Sequence, residues 1–312
     1  MLLLIKYTLL YGIVLMLVAL GGMFSEHSGV INIALEGIMV VGGLAGVLVT
    51  ASLPTTMAPA LIVLAAVVAA AVCGMLYSLL LAFASINLKA DQTIGGTALN
   101  MLATAIAMIL AKNFNGSTSA KISYTNKPFL FSIGGLELSI FIPLGIVLLV
   151  VSYIVMYKTR FGLRLRACGE HPQAADSVGI NVYKMRYAGT TISGALAGMG
   201  GFVYALTTAN CASNGDVAGF GFLALAVMIF GNWKPLNVAG GALLFGLFKC
   251  IAASYASIDI NGDGVFMLAE IGISAHLYRM LPYIVTLLVL AFTSKSSRAP
   301  KAEGIPYDKG QR

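Results

Sequence analysis

Asn32 and Glu36 set an amide and a carboxylate four residues apart at the head of a long apolar run, so a helix there puts both on one face. Such a pair can hydrogen-bond a polar solute or tie two helices together, and polar groups inside a membrane serve both purposes. Farther along, Thr93, Thr97, Asn100 and Thr104 recur at intervals of four, three and four, a polar stripe down one helix face. Uncharged donors and acceptors suit a neutral, polyhydroxylated solute. Threonine hydroxyls also bond back to their own helix. That alternative accounts for the threonines but not for Asn100. Asn32, Glu36, Thr97 and Asn100 are therefore the candidate substrate pathway.

The segment Asp259–Glu270 reads DINGDGVFMLAE and fits the calcium-loop pattern D-x-[DN]-x-[DN]-G-x5-E at every required place. Asp259, Asn261 and Asp263 would supply side-chain oxygens, Val265 a carbonyl and Glu270 a bidentate carboxylate, with Gly264 making the sharp turn. Such a loop needs two flanking soluble helices, and the same residues also read as an ordinary polar turn before a short helix. The turn is the reading adopted, so no metal is expected. The histidines are His27, His171 and His276, none at ligand spacing from another His or a Cys. There is no GxxxxGK[ST] phosphate loop and no Ser-His-Asp set, so the chain is expected to be neither an ATPase nor another enzyme, and to carry no cofactor.

Elements that could position these residues follow from composition. With 59% hydrophobic and 10% charged residues, the chain is far outside the soluble range of about a quarter charged. Several apolar runs exceed the roughly 20 residues that cross a bilayer. An all-α, polytopic transmembrane bundle of about 9–10 membrane segments is expected, spanning residues 1–293, with a disordered cytoplasmic tail at 294–312. The spans fall near Leu3–Met23, Ser28–Thr50, Ala58–Ile86, Asp91–Ala111, Ile140–Tyr157, Tyr187–Thr208, Gly219–Phe230, Leu236–Ser254 and His276–Phe292. The first reads as a retained span and not as a cleavable leader. Gly42/Gly46 and Gly194/Gly198 are GxxxG close-packing pairs. Gly95–Gly96 allows a close backbone approach, and Trp233–Lys234 suits an interfacial belt. Cys73, Cys168, Cys211 and Cys250 lack metal spacing and read as small buried groups.

The net charge of +7 is no nucleic-acid signal, because eleven of the nineteen basic residues lie in 158–186 or after Ser294. Short basic loops stay cytoplasmic, which orients the second half of the chain. Counting crossings backwards puts the amino terminus outside, unless Phe24–Thr50 hides a re-entrant segment. The basic loop has an ordered middle. Pro172 fits the first turn of a short helix through Gln173, Ala174 and Ala175, with Glu170 near its positive end. Such a helix on the cytoplasmic face is a docking element.

GEHPQAADSVGI, preceded by TRFGLRLRA, resembles the coupling helix of permeases in the branched-chain amino acid, ribose and nucleoside superfamily of ABC importers. FSEHSGVINIALEGIM and DQTIGGTALNMLA resemble that superfamily's nucleoside and simple-sugar branch. The likeness covers nearly the whole chain. It implies a multi-pass permease of the bacterial inner membrane that takes nucleosides or, as the alternative, simple sugars. It also implies a second, similar permease, a cytoplasmic ATPase subunit that uses the ATP, and an extracytoplasmic substrate-binding protein, with Gly169, Glu170, His171, Pro172, Ala174 and Ala175 forming the ATPase contact. An ion-coupled secondary transporter is the rival class, with Glu36 as its one strong ion-site candidate.

Overall fold

A computed structural model describes residues 2–310 apart from 55, 117–120, 124–128, 134–135, 208, 210–211, 256–273 and 294–297. The calcium-loop candidate Asp259–Glu270 and Cys211 lie outside the described residues.

The helices are α1 (Leu2–Glu26), α2 (Leu35–Ser52), α3 (Pro59–Ala82), α4 (Gln92–Phe114), α5 (Phe141–Lys158), α6 (Arg160–Glu170), α7 (Pro172–Ser177), α8 (Val182–Thr207), α9 (Phe220–Phe230), α10 (Pro235–Ser254) and α11 (Ala275–Thr293). Among the described residues, six are long and apolar enough to cross a membrane: α1, α2, α3, α4, α5 and α10. A π-helical turn, Phe83–Asn87, extends α3. Helix α1 is apolar on all sides and accordingly lies at the centre, packed on α8, α10 and α9. In lipid there is no hydrophobic drive between helices, so close backbone contact holds them together. Both glycine pairs provide it. Helix α8 is sandwiched between α2 and α3, where a methyl on Gly42 would overlap Gly198 and one on Gly74 would overlap the Gly194 carbonyl.

The polar stretch after α4 carries short strands, β1 (Ile122–Ser123), β2 (Leu130–Ile133) and β3 (Leu136–Ser139). β2 and β3 form a hairpin, and β1 pairs antiparallel with β4 (Ala212–Ser213), with Ile122 opposite Ser213. A cluster of Phe129, Phe141 and Phe202, with centroids 5.4–5.9 Å apart, fastens this region to α5 and α8.

Several expectations are corrected. The second span is not one helix from Ser28: residues 27–34 are irregular and α2 begins at Leu35, so Asn32 and Glu36 do not share a helical face. Helix α9, at 11 residues, is about 16 Å long and reaches only partway through a bilayer. Trp233 is not an interfacial anchor. It is 5% exposed, and its indole N–H donates to Glu26 Oε2 at 2.5 Å, because positive φ at Asn232 and Trp233 turns the ring inward.

Residues 298–310 of the tail are docked and not disordered. Ala302 N–H donates to the Gly169 carbonyl at 2.8 Å, Gly304 N–H to Gly29 at 3.2 Å, and Arg298 N–H to Asn232 Oδ1 at 2.9 Å. Tyr307 is buried against Tyr183, and Lys89 pairs with Asp308 at 2.8 Å. Arg186, 1% exposed, donates from Nη1 to Ile305 O at 3.0 Å. These contacts gather the ends of α1, α3, α6 and α9, the start of α8 and the tail on one face. The first residues of α1 therefore lie at the opposite end of the bundle.

Candidate functional site

The break between α1 and α2 is held by side chains from distant elements. Backbone groups freed from a helix inside a membrane need internal partners. Ile31 N–H finds Gln92 Oε1 at 2.7 Å. Asn100 on α4 serves both ends of the turn: its Oδ1 accepts from Gly37 N–H at 2.8 Å and its Nδ2 donates to the Ile33 carbonyl at 3.0 Å. Gly96, one turn earlier, allows this contact, since an added Cβ would lie 3.0 Å from Ile33 Cβ. Asn32 is fully buried and donates from Nδ2 to Ser193 Oγ on α8 at 2.8 Å, while its Oδ1 has no partner among the described residues.

Glu36 reaches α9. Gly219 caps that helix in the left-handed conformation, φ 74°. The carboxylate accepts from Gly219 N–H at 2.7 Å and Gly221 N–H at 2.6 Å, with Phe222 N–H also on it. A carboxylate on the first N–H groups of a helix is stabilised by their orphan donors and by the macrodipole. Half-helix N-termini in transporters commonly receive a substrate's anionic group; here the chain's own carboxylate fills that place.

Of the pathway candidates, Asn32, Glu36 and Asn100 thus converge on the α1–α2 break and Thr97 does not. Thr97 is exposed and bonds back to Thr93 O at 3.0 Å and Ile94 O at 2.9 Å, and Thr104 bonds back to Asn100 O at 3.4 Å. The stripe is therefore largely threonines serving their own helix.

Beside Phe220 lies a cavity of about 380 Å³, lined by Tyr11, Phe220, Lys249, Tyr255 and Tyr283 with small alanines between them. Lys249 lies about 21 Å along α10 from Pro235, so the cavity sits in the half of the bundle remote from the basic loop. The Lys249 ammonium is 4.5 Å from the Phe220 ring centroid and 5.6 Å from that of Tyr283. Among the described residues it forms no ion pair. The sequence reading missed this lysine. A lone cation inside the apolar run LLFGLFKCIAAS carries the signal, because a charge in a span is expensive and faces a cavity or a partner.

The basic loop holds two helices where the sequence suggested one. Thr159 Oγ1 caps α6 by accepting from Gly162 N–H at 3.2 Å. Amphipathic α6 buries Gly162, Leu165, Cys168 and Gly169 and turns Arg164 outward. α7 then starts with Pro172 as its first residue. Gly169 lies in the last turn of α6, before the Pro172 helix, and packs so closely on His27 that a Cβ would overlap the His27 carbonyl. Pro172 and Ala175 face inward, while Glu170, His171 and Ala174 are exposed. Burial lowers the pKa of His27, beneath Gly169, to about 4 and keeps it neutral, with Nδ1 2.9 Å from Met23 O. Cys73, Cys168 and Cys250 are free thiols, and no cluster of metal-ligating side chains occurs among the described residues.

The family model described as the branched-chain amino acid transport system / permease component matches residues 4–290. The guanosine ABC transporter permease protein NupQ of Bacillus subtilis is 41% identical over 321 residues, covering 98% of this chain and 96% of that protein. The nucleoside ABC transporter permease protein NupC of Lactococcus lactis is 39% identical over 316 residues, covering 97% and 96%. NupB, a nucleoside ABC transporter permease protein of the same organism, is 29% identical over 168 residues, covering 54% of this chain and 46% of its own length. No solved structure matches.

Proposed function

The chain belongs to the family of branched-chain amino acid transport system permease components, and from that premise we propose that it is the membrane-spanning permease of an ATP-driven importer of nucleosides. The observation that carries the substrate class is the near full-length similarity, at 41% and 39% identity, to permeases named for guanosine and for nucleosides. The geometry supports a neutral, aromatic solute. The α9 N-terminus, where an anionic group would bind, already holds Glu36, and the neighbouring cavity is walled by Tyr11, Phe220, Tyr255 and Tyr283. The permease itself is not an enzyme; hydrolysis belongs to a separate cytoplasmic ATPase that docks on the exposed Glu170, His171 and Ala174 of α6 and α7. An extracytoplasmic binding protein delivers the solute. Two permeases of one organism, NupB and NupC, both resemble this chain, which supports a second, non-identical permease as partner.

The substrate class is tested by uptake into cells that express the complete transporter. Labelled nucleosides should compete with one another and be indifferent to excess ribose, glucose or galactose. Competition by a simple sugar with no effect of nucleosides would replace this reading with the sugar permease.

A further inference from the structure

We propose that the cavity between α1, α9, α10 and α11 seats the base of a purine nucleoside, with Lys249 donating to acceptors on the base edge and so favouring oxopurines over adenine. The proposal rests on the nucleoside reading above and assigns the base a place within it.

Its size, about 380 Å³, falls in the range of small-molecule sites, which are largely apolar with a few placed polar groups. The walls are aromatic on several elements at once. Tyr11 comes from α1, Phe220 from the start of α9 and Tyr283 from α11, and the Tyr11 and Phe220 centroids are 6.2 Å apart. Half-exposed Tyr283 offers the stacking face for a base, while buried Phe220 is covered by the Lys249 ammonium and packed on Tyr204. Selectivity must come from the polar group, and Lys249 is the charged member of the lining. An ammonium carries three donors and no acceptor. Guanine and hypoxanthine offer adjacent acceptors at O6 and N7, whereas adenine replaces O6 with the N6 amino donor, which opposes a lysine.

The surroundings also favour a neutral base over an anion. Glu36 holds the amides of Gly219 and Gly221 on either side of Phe220, and Lys249 lies over the Phe220 ring. The two opposite charges thus flank one aromatic residue and leave the site near neutrality.

The test uses the complete transporter in proteoliposomes with a single binding protein, whose own selectivity cancels when variants are compared. Initial uptake of inosine, guanosine, adenosine and cytidine is measured for the parent, Lys249→Met and Tyr283→Leu. Lys249→Met should lower the inosine-to-adenosine and guanosine-to-adenosine ratios about tenfold, the discrimination expected of a good edge contact. Tyr283→Leu should slow both purine classes together and leave those ratios unchanged. Parent-like ratios in Lys249→Met overturn the proposal, and so does an equal loss for all four solutes, which would make Lys249 a structural residue. A parent that moves sugars and no nucleoside overturns the nucleoside reading instead.

Discussion

Replacing Glu36 with Gln separates a structural carboxylate from an ion-coupling one. The carboxylate takes Gly219 N–H at 2.7 Å and Gly221 N–H at 2.6 Å with its two oxygens. Glutamine retains one oxygen. Its NH2 must then face an amide N–H, donor against donor, so one charge-assisted bond is lost and the other becomes neutral. Hydrogen bonds to a charged group contribute about 1.5–3 kcal/mol against about 0.5–1.5 for neutral ones, so the swap removes roughly 2–4 kcal/mol. Loss of the charge at the α9 N-terminus adds about 0.3–1 kcal/mol. At roughly 2–4 °C per kcal/mol, the purified protein should melt about 5–20 °C lower. Uptake should fall in proportion to the folded protein, with its dependence on ATP and its indifference to proton gradients intact. A Glu36→Gln protein with the parent's melting temperature would refute the capping argument. One that melts normally but loses coupling to a gradient would make Glu36 an ion site.

Three further outcomes follow from the packing. Gly198→Leu forces a side chain into the Ala70 carbonyl of α3 and should abolish a monodisperse product in size-exclusion chromatography, whereas Gly95→Ala, where a Cβ meets nothing, should be neutral or stabilise by up to about 1 kcal/mol. Burial raises the Glu303 carboxyl to about 7. A carboxyl raised on folding stabilises the docked tail fully below its unfolded value near 4.3 and loses that contribution as pH climbs through about 7, so limited proteolysis should cut the tail faster at pH 8 than at pH 5, and Glu303→Gln should flatten the difference. Ala174→Arg, on the exposed face of α7, should leave insertion and melting unchanged while separating ATP hydrolysis from uptake; normal coupling in that variant would remove α7 from the docking face.

Much of the bundle was legible because composition and glycine spacing are local signals. The apolar runs located the long helices, Pro172 marked the start of α7, and both GxxxG pairs meet at α8. What stayed hidden depends on distant partners. Val30, Ile31 and Ile33 make the stretch around Asn32 look helical, yet its backbone is satisfied from α4, by Gln92 and Asn100, more than sixty residues away. The tail's Pro, Gly and Lys content reads as disorder, while two apolar residues, Ala302 and Tyr307, dock it beside α6 and α8. Trp233 resembled a belt residue because its type is visible in the sequence and its carboxylate partner, Glu26, 207 positions earlier, is not. Lys249 went unread although a lone charge in an apolar helix is a local signal; the aromatic walls around it come from three other elements and leave no such signal.

Energy coupling is the most direct test of the whole account. The permease, reconstituted with the proposed ATPase, second permease and binding protein, is assayed for accumulation of labelled guanosine in vesicles that enclose ATP, with no ion gradient imposed. Accumulation should require ATP, persist when a protonophore is added, and stop when the ATPase is omitted. Guanosine accumulation that follows an imposed proton gradient and ignores ATP would contradict the account.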